Sequence, residues 1–241
     1  MNTKILYHRG DLIAPENSLA AFKKASAGEA EGVELDVQFT QDGVPVVIHD
    51  LSVDRTTTGS GRVSELTLAE LQEFDISSEE YSGQSVPTLR SVLQVLSEME
   101  IINLELKFFS KNISDNNSWL RDLITLVSEL GLMDRVLFSS YNHYCIKKIA
   151  ELAPEARTGV IYRAALFEPW KYAEKLGAEA IHPYYMSITS QLVNKAHEHA
   201  LKVVTYGTDD IAEIENLLSL GVDMIITESV EAALKVRKNI C

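Results

Sequence analysis

The chain has 241 residues, 46% of them hydrophobic, with 12 Gly, 6 Pro and 2 Cys. That composition is enough to bury one large core and excludes a disordered chain or a disulfide framework. The formal net charge of −13 opposes long-range attraction to nucleic acid or to an anionic membrane surface, so an anionic small molecule would need a local basic pocket.

The start, Met1 to Arg9, offers only Ile5, Leu6 and Tyr7 as an apolar run, too short for a signal-peptide core, and no stretch reaches membrane-spanning length. Cys145 and Cys241 are far apart, which fits a reducing, cytoplasmic setting. Short β-branched runs then alternate with helical patterns, the layout of βα units around a parallel sheet. Strands are predicted at 4–7, 32–38, 45–49, 101–106, 135–139, 158–162, 179–182, 201–206 and 223–227. Helices are predicted at Ser18 to Ser26, Leu68 to Phe74, Leu89 to Glu98, Trp119 to Leu130, Tyr144 to Leu152, Glu168 to Leu176, Ser190 to Ala200, Ile211 to Ser219 and Val230 to Lys238. Gly131, Gly177 and Gly221 stand just past three of them as stop signals.

Nine strands against the eight of a TIM (β/α)8 barrel make one of them extra. The turn Gln41-Asp42-Gly43 is too short for a parallel crossover, so 45–49 is expected to fold back on 32–38 as a hairpin. The polar stretch 51–87 reads as an insertion beside the site mouth. The expected architecture is therefore one distorted barrel domain over residues 1–241, with an extra hairpin strand and a small insertion after the third strand.

The chemistry gathers where barrels place it, at the carboxyl ends of strands. In Gly32-Val33-Glu34-Leu35-Asp36-Val37, alternation points Glu34 and Asp36 to one side while Val33, Leu35 and Val37 pack away. Asn103-Leu104-Glu105-Leu106-Lys107 repeats the pattern, and three carboxylates facing one place without a cation would be strongly unfavourable. Oxygen ligands of this kind suit Mg2+ or Ca2+. His8 closes the first strand beside Arg9 and Gly10, and His49 closes the third, so two histidines are placed to divide general acid and base work. Arg9 can meet phosphate oxygens by a two-pronged contact. His197 and His199 read as a solvated helix face, His143 and His182 as rim residues without an identifiable partner, and Cys145 as an inert helix residue. Tyr184, Tyr185, Tyr206 and Trp170 read as packing, with an alcohol pocket as the alternative.

Together, His8-Arg9-Gly10, Pro15-Glu16-Asn17-Ser18, Glu34-Leu35-Asp36-Val37, Asp42 to Asp50 and Asp54-Arg55-Thr56-Thr57-Thr58-Gly59 resemble the hallmarks of glycerophosphodiester phosphodiesterases, enzymes with a modified TIM barrel. The resemblance is dense through residue 107 and looser afterwards. It implies that Glu34, Asp36 and Glu105 hold one Mg2+ or Ca2+, that His8 and His49 form the acid-base pair, and that Arg9 and Lys107 hold the phosphate. It implies hydrolysis of deacylated phospholipids, such as glycerophosphocholine, glycerophosphoethanolamine and glycerophosphoglycerol, into glycerol 3-phosphate and an alcohol. Departures lie in the last third, where Thr205-Tyr206-Gly207-Thr208 replaces a common Trp-Thr-Val-Asn, Thr227-Glu228 a Thr-Asp, and Val230 a proline. Two other readings stay open: phospholipase-like cleavage of another phosphodiester, for which no membrane anchor or stable membrane association is expected, and a noncatalytic phosphate-binding barrel or metal-dependent isomerase.

Overall fold

The computed structural model describes residues 3–76, 80–81, 83–107 and 118–240. Cys241 and parts of the 51–87 insertion, at 77–79 and 82, lie outside the described residues. Eight parallel strands close the ring: β1 (Lys4–His8), β2 (Gly32–Phe39), β4 (Ile101–Leu106), β5 (Val136–Ser140), β6 (Arg157–Tyr162), β7 (Ala180–Pro183), β8 (Lys202–Thr205) and β9 (Met224–Thr227). β1 pairs with both β9 and β2, which completes the circle. The extra strand is β3 (Pro45–Val47), antiparallel on β2 with Val37 opposite Val47 and outside the ring, as the short turn requires.

Helices follow the strands: α1 (Leu19–Ser26), α2 (Leu68–Leu71), α3 (Leu89–Val95), α4 (Ser118–Glu129), α5 (His143–Leu152), α6 (Pro169–Leu176), α7 (Ser190–Glu198), α8 (Ile211–Leu220) and α9 (Val230–Ile240). Gly177 and Gly221 cap α6 and α8 in the left-handed conformation that a side chain would disfavour. α2 ends sooner than its apolar spacing suggests, because Phe74 turns back onto Gly59 and joins a small core of Val46, Ile48, Val53, Val63, Leu71 and Val86 beneath the insertion.

Barrel strands are covered on both faces, which is why they read as near-continuous apolar runs. Val33, Leu35, Ile102, Leu104, Phe138, Val160 and Ile181 point outward into the main core under the helices. Alternate residues point inward, and Leu6, Ile101, Leu137, Ala180, Val204, Met224 and Ile226 form the apolar part of the lumen. Further along the same inward rows stand Asn103, Ser139 and His182, all but fully buried. His182 is therefore a lumen residue and not the rim residue its sequence position suggested. Its ring fills the space over Gly159, where a Cβ would lie 2.3 Å from Nε2.

Burial alone drives the His182 imidazole down to about 3, so it is neutral in the folded protein. The unfolded chain then takes up this proton near pH 6.5 and the folded chain does not. The stabilisation is complete above pH 6.5 and is lost as pH falls toward 3, by at most about 1.4 kcal/mol per pH unit. Urea unfolding between pH 7 and 4 should show a shallower loss of stability in His182→Asn than in the wild type, whatever the absolute stability of the variant. Parallel slopes would remove His182 from the acid sensitivity of the fold.

Candidate active site

The register of the sheet sets Asp36 on β2 directly beside Glu105 on β4, with Glu34 one inward step below. All three carboxylates offer oxygens within 4.8 Å of one another. Glu34 and Asp36 are 3% and 1% exposed. Burial, reinforced by the charges of Asp36 and Glu105, raises the Glu34 carboxyl well above the usual carboxylate range. Burial also raises Glu105, against the pull of Lys107. Asp36 goes the other way, because Lys107 and Arg9 together outweigh its desolvation.

Those two cations are already committed. Arg9 Nε lies 3.1 Å from Asp36 Oδ2, and its Nη1 donates to Glu16 Oε1 at 3.1 Å. Lys107 Nζ lies 3.0 Å from Asp36 Oδ1 and also contacts Glu105. Arg9 and Asn17 hold left-handed backbone with φ of 60° and 55°, unusual for residues with side chains and typical of functional loops. That loop is tied by the Asn17 N–H donating to the Arg9 carbonyl at 2.9 Å, and it aims the Asn17 amide at Asp36 Oδ2, 2.8 Å away.

The histidines share one device. The Nδ1 atom of His8 lies 3.2 Å from Glu228 Oε1, which leaves Nε2 on the side of Glu34, 3.9 Å from its Oε2. His49 Nδ1 lies 2.6 Å from Asp50 Oδ1. Burial, with the Arg9 charge, lowers the His8 imidazole below its ordinary value. Arg55 and His49 hold Asp50 down at about 2 despite partial burial. Arg55 in turn donates to both oxygens of Glu16 at 2.7 and 2.8 Å. A continuous polar network thus runs from His49 through Asp50, Arg55, Glu16 and Arg9 to Asp36.

Every residue singled out from sequence, His8, Arg9, Glu34, Asp36, His49, Glu105 and Lys107, falls at this one mouth of the barrel. Sequence reasoning missed the supporting set of Glu16, Asn17, Asp50, Arg55 and Glu228. The first four stand inside motifs already noted, but only the loop conformation shows that they face the acids. Tyr184 and Tyr206 also turn out to wall the mouth, edge to face with ring centres 5.7 Å apart, whereas Tyr185 and Trp170 pack against the outer core. His143 is not a free rim residue: its nitrogens meet the Tyr172 hydroxyl at 3.0 Å and the Ile161 carbonyl at 2.8 Å. His197 and His199 are partly buried and paired with Asp223 and Glu174 across helix boundaries, so neither is a simple solvated face. Cys145 is buried, its thiol pushed up to about 12 by desolvation, which matches an inert helix residue.

The acids fit a hard metal ion. Among the described residues, Glu34 Oε1 is buried and accepts no hydrogen bond, and Asp36 Oδ1 meets only the ammonium of Lys107. Oxygen donors in this state are what a divalent cation would satisfy.

A family model described as the glycerophosphoryl diester phosphodiesterase family matches residues 8–232. A glycerophosphodiester phosphodiesterase of Caldanaerobacter subterraneus subsp. tengcongensis is 37% identical over 244 residues, 99% of either chain. Another, from Bacillus altitudinis, is 32% identical over 98% of both. Among solved structures, an Oleispira antarctica phosphodiesterase in complex with the product sn-glycerol-3-phosphate superposes with a TM-score of 0.84 at 27% identity, covering 98% of this chain and 96% of its own.

Acid clusters of this kind cost stability in the absence of a cation. Glu34→Gln should therefore melt at or above the wild type in EDTA, by up to about 1 kcal/mol or roughly 2–4 °C. The wild type should gain thermal stability on adding Mg2+ or Ca2+, and the variant should lose that response. Equal metal responses in both proteins would show that the trio is not the metal site.

Proposed function

The chain belongs to the glycerophosphoryl diester phosphodiesterase family and is an enzyme of that class, and on that premise we propose that it hydrolyses small glycerophosphodiesters to glycerol 3-phosphate and an alcohol with one Mg2+ or Ca2+ and a pair of histidines. The observation that carries this reading is the convergence of two buried acids and a third, partly exposed one, two basic side chains and two carboxylate-held histidines at one barrel mouth. Glu34, Asp36 and Glu105 would hold the ion, which when bound supplies a Lewis acid for the phosphoryl oxygens.

The remaining steps belong to the chain itself. Arg9 and Lys107, now paired with acids, are the cations within reach of a phosphate that enters over the cluster, Arg9 by its guanidinium fork and Lys107 as a point charge. His8, whose imidazole is shifted toward the neutral form by burial and by Arg9, takes the proton of the attacking oxygen. Its Nδ1–H points to Glu228, so the basic lone pair is on Nε2, and that tautomer follows from the hydrogen bond. His49, oriented by Asp50, returns a proton to the departing alkoxide as the phosphorus–oxygen bond breaks. The substrate is a small molecule and no nucleic acid takes part. No helix among the described residues is long and apolar enough to cross a membrane.

A second reading, cleavage of a lipid phosphodiester, has one observation in its favour. Ile13, Phe167 and Met186 stand 66%, 92% and 74% exposed in three βα loops at the catalytic end. Cosedimentation with phosphatidylcholine vesicles separates the two readings.

Release of glycerol 3-phosphate from glycerophosphocholine and glycerophosphoethanolamine, with Mg2+, Ca2+ or EDTA, is the direct test. Asp36→Ala and His8→Ala should each lose about 10²-fold or more in kcat. Full activity in either variant would overturn the proposed site.

A further inference from the structure

The inward row that ends each strand continues past the acids into a wall. Two residues beyond Glu105, Ser139, Ile161, His182 and Val204, on strands β4 to β8, stand Lys107, Tyr141, Arg163, Tyr184 and Tyr206. The Tyr141 and Tyr206 hydroxyls are hydrogen-bonded to each other, and Tyr184 bridges to Tyr206 in the sheet as well as by ring contact. The Arg163 guanidinium carbon sits 4.8 Å above the centre of the Tyr184 ring.

Arg163 differs from the other cations near the mouth. Arg9, Arg55 and Lys107 are all held by carboxylates, whereas Arg163, in a chain with 35 acidic residues, makes no ion pair among the described residues. Stacking on Tyr184 fixes the plane of the guanidinium and leaves its edge N–H groups available. The same stacking covers the aromatic face that a quaternary ammonium would use.

We propose that Arg163 selects the alcohol half of the diester, favouring a leaving group that carries a second anionic group, with a phosphomonoester as its best partner. This rests on the phosphodiesterase reading above. Glycerol carries no charge and the scissile phosphate is common to every glycerophosphodiester, so discrimination by charge at a cation in the wall falls on the alcohol. Guanidinium and phosphate match in geometry through two parallel N–H···O contacts, and the match weakens with salt where the group is exposed.

The test compares kcat/KM for glycerophosphoinositol 4-phosphate with that for glycerophosphoinositol, two substrates that differ by one phosphate, with glycerophosphocholine as a cationic third. The wild type should prefer the phosphorylated substrate about tenfold at low salt and less at 0.5 M NaCl. Arg163→Gln should bring the ratio near one, Arg163→Lys should keep part of it, and Arg163→Glu should turn the preference toward glycerophosphocholine. A wild-type ratio near one, or a ratio unchanged in Arg163→Gln, would overturn the assignment while leaving phosphodiester hydrolysis in place. Cleavage of none of the three with any metal would overturn the phosphodiesterase reading itself, and the role of Arg163 with it.

Discussion

Three carboxylates within 4.8 Å of one another, two of them buried, impose the condition that the rest of the barrel mouth has to meet. Their mutual repulsion and desolvation are severe in a low-dielectric site unless charge is returned nearby. Lys107 and Arg9 return part of it, and the opposite shifts of Asp36 and Glu34 show where it goes: the cations favour Asp36, and Glu34 keeps the penalty. A site with two cations against three acids is already close to balance without becoming inert. One carboxylate oxygen, Glu34 Oε1, remains without a partner among the described residues, and the Arg9 and Lys107 side chains keep 16% and 8% exposure.

Holding that arrangement requires backbone that ordinary sequence would not adopt. The loop after β1 places Arg9 and Asn17 in left-handed conformations so that a guanidinium and an amide converge on one aspartate. Strain of this kind persists only where surrounding contacts overdetermine it. Here the bond between the Asn17 N–H and the Arg9 carbonyl, the packing of α1 and the outer ring of Glu16, Arg55 and Asp50 supply them. The insertion after β3 is part of this support, because Arg55 comes from it.

The barrel was legible in the sequence because its strands are buried on both faces and its helices are amphipathic, so each period appears separately along the chain. The extra strand was legible for a simpler reason, since Gln41-Asp42-Gly43 cannot span a parallel crossover. The acids and His8 were legible because alternation and strand ends fix where they point, and His49, two residues past the end of β3, because the hairpin folds it back toward Glu34 and Asp36. What stayed hidden depends on contacts between elements far apart in sequence. Nothing local to His182 shows that it stands over Gly159, and nothing local to His197 shows that Asp223 waits across the barrel end. Glu228 was visible only as a departure from a familiar ending, although its carboxylate reaches His8.

That contact joins closure of the barrel to organisation of the site. Glu228 follows the last strand and His8 ends the first, so their pairing exists only once β9 has docked along β1 with Ile226 beside Leu6. Asp209 fixes the turn by accepting from both the Thr227 hydroxyl and the Glu228 N–H, at 2.6 and 2.7 Å. The first histidine is therefore oriented by a contact across the β1–β9 closure of the ring, whereas His49 is oriented by its own neighbour in sequence, Asp50. A chain with an unclosed barrel would keep one histidine in register and lose the other. The orientations of the two histidines thus depend on different ranges of the fold, one local and one spanning 220 residues.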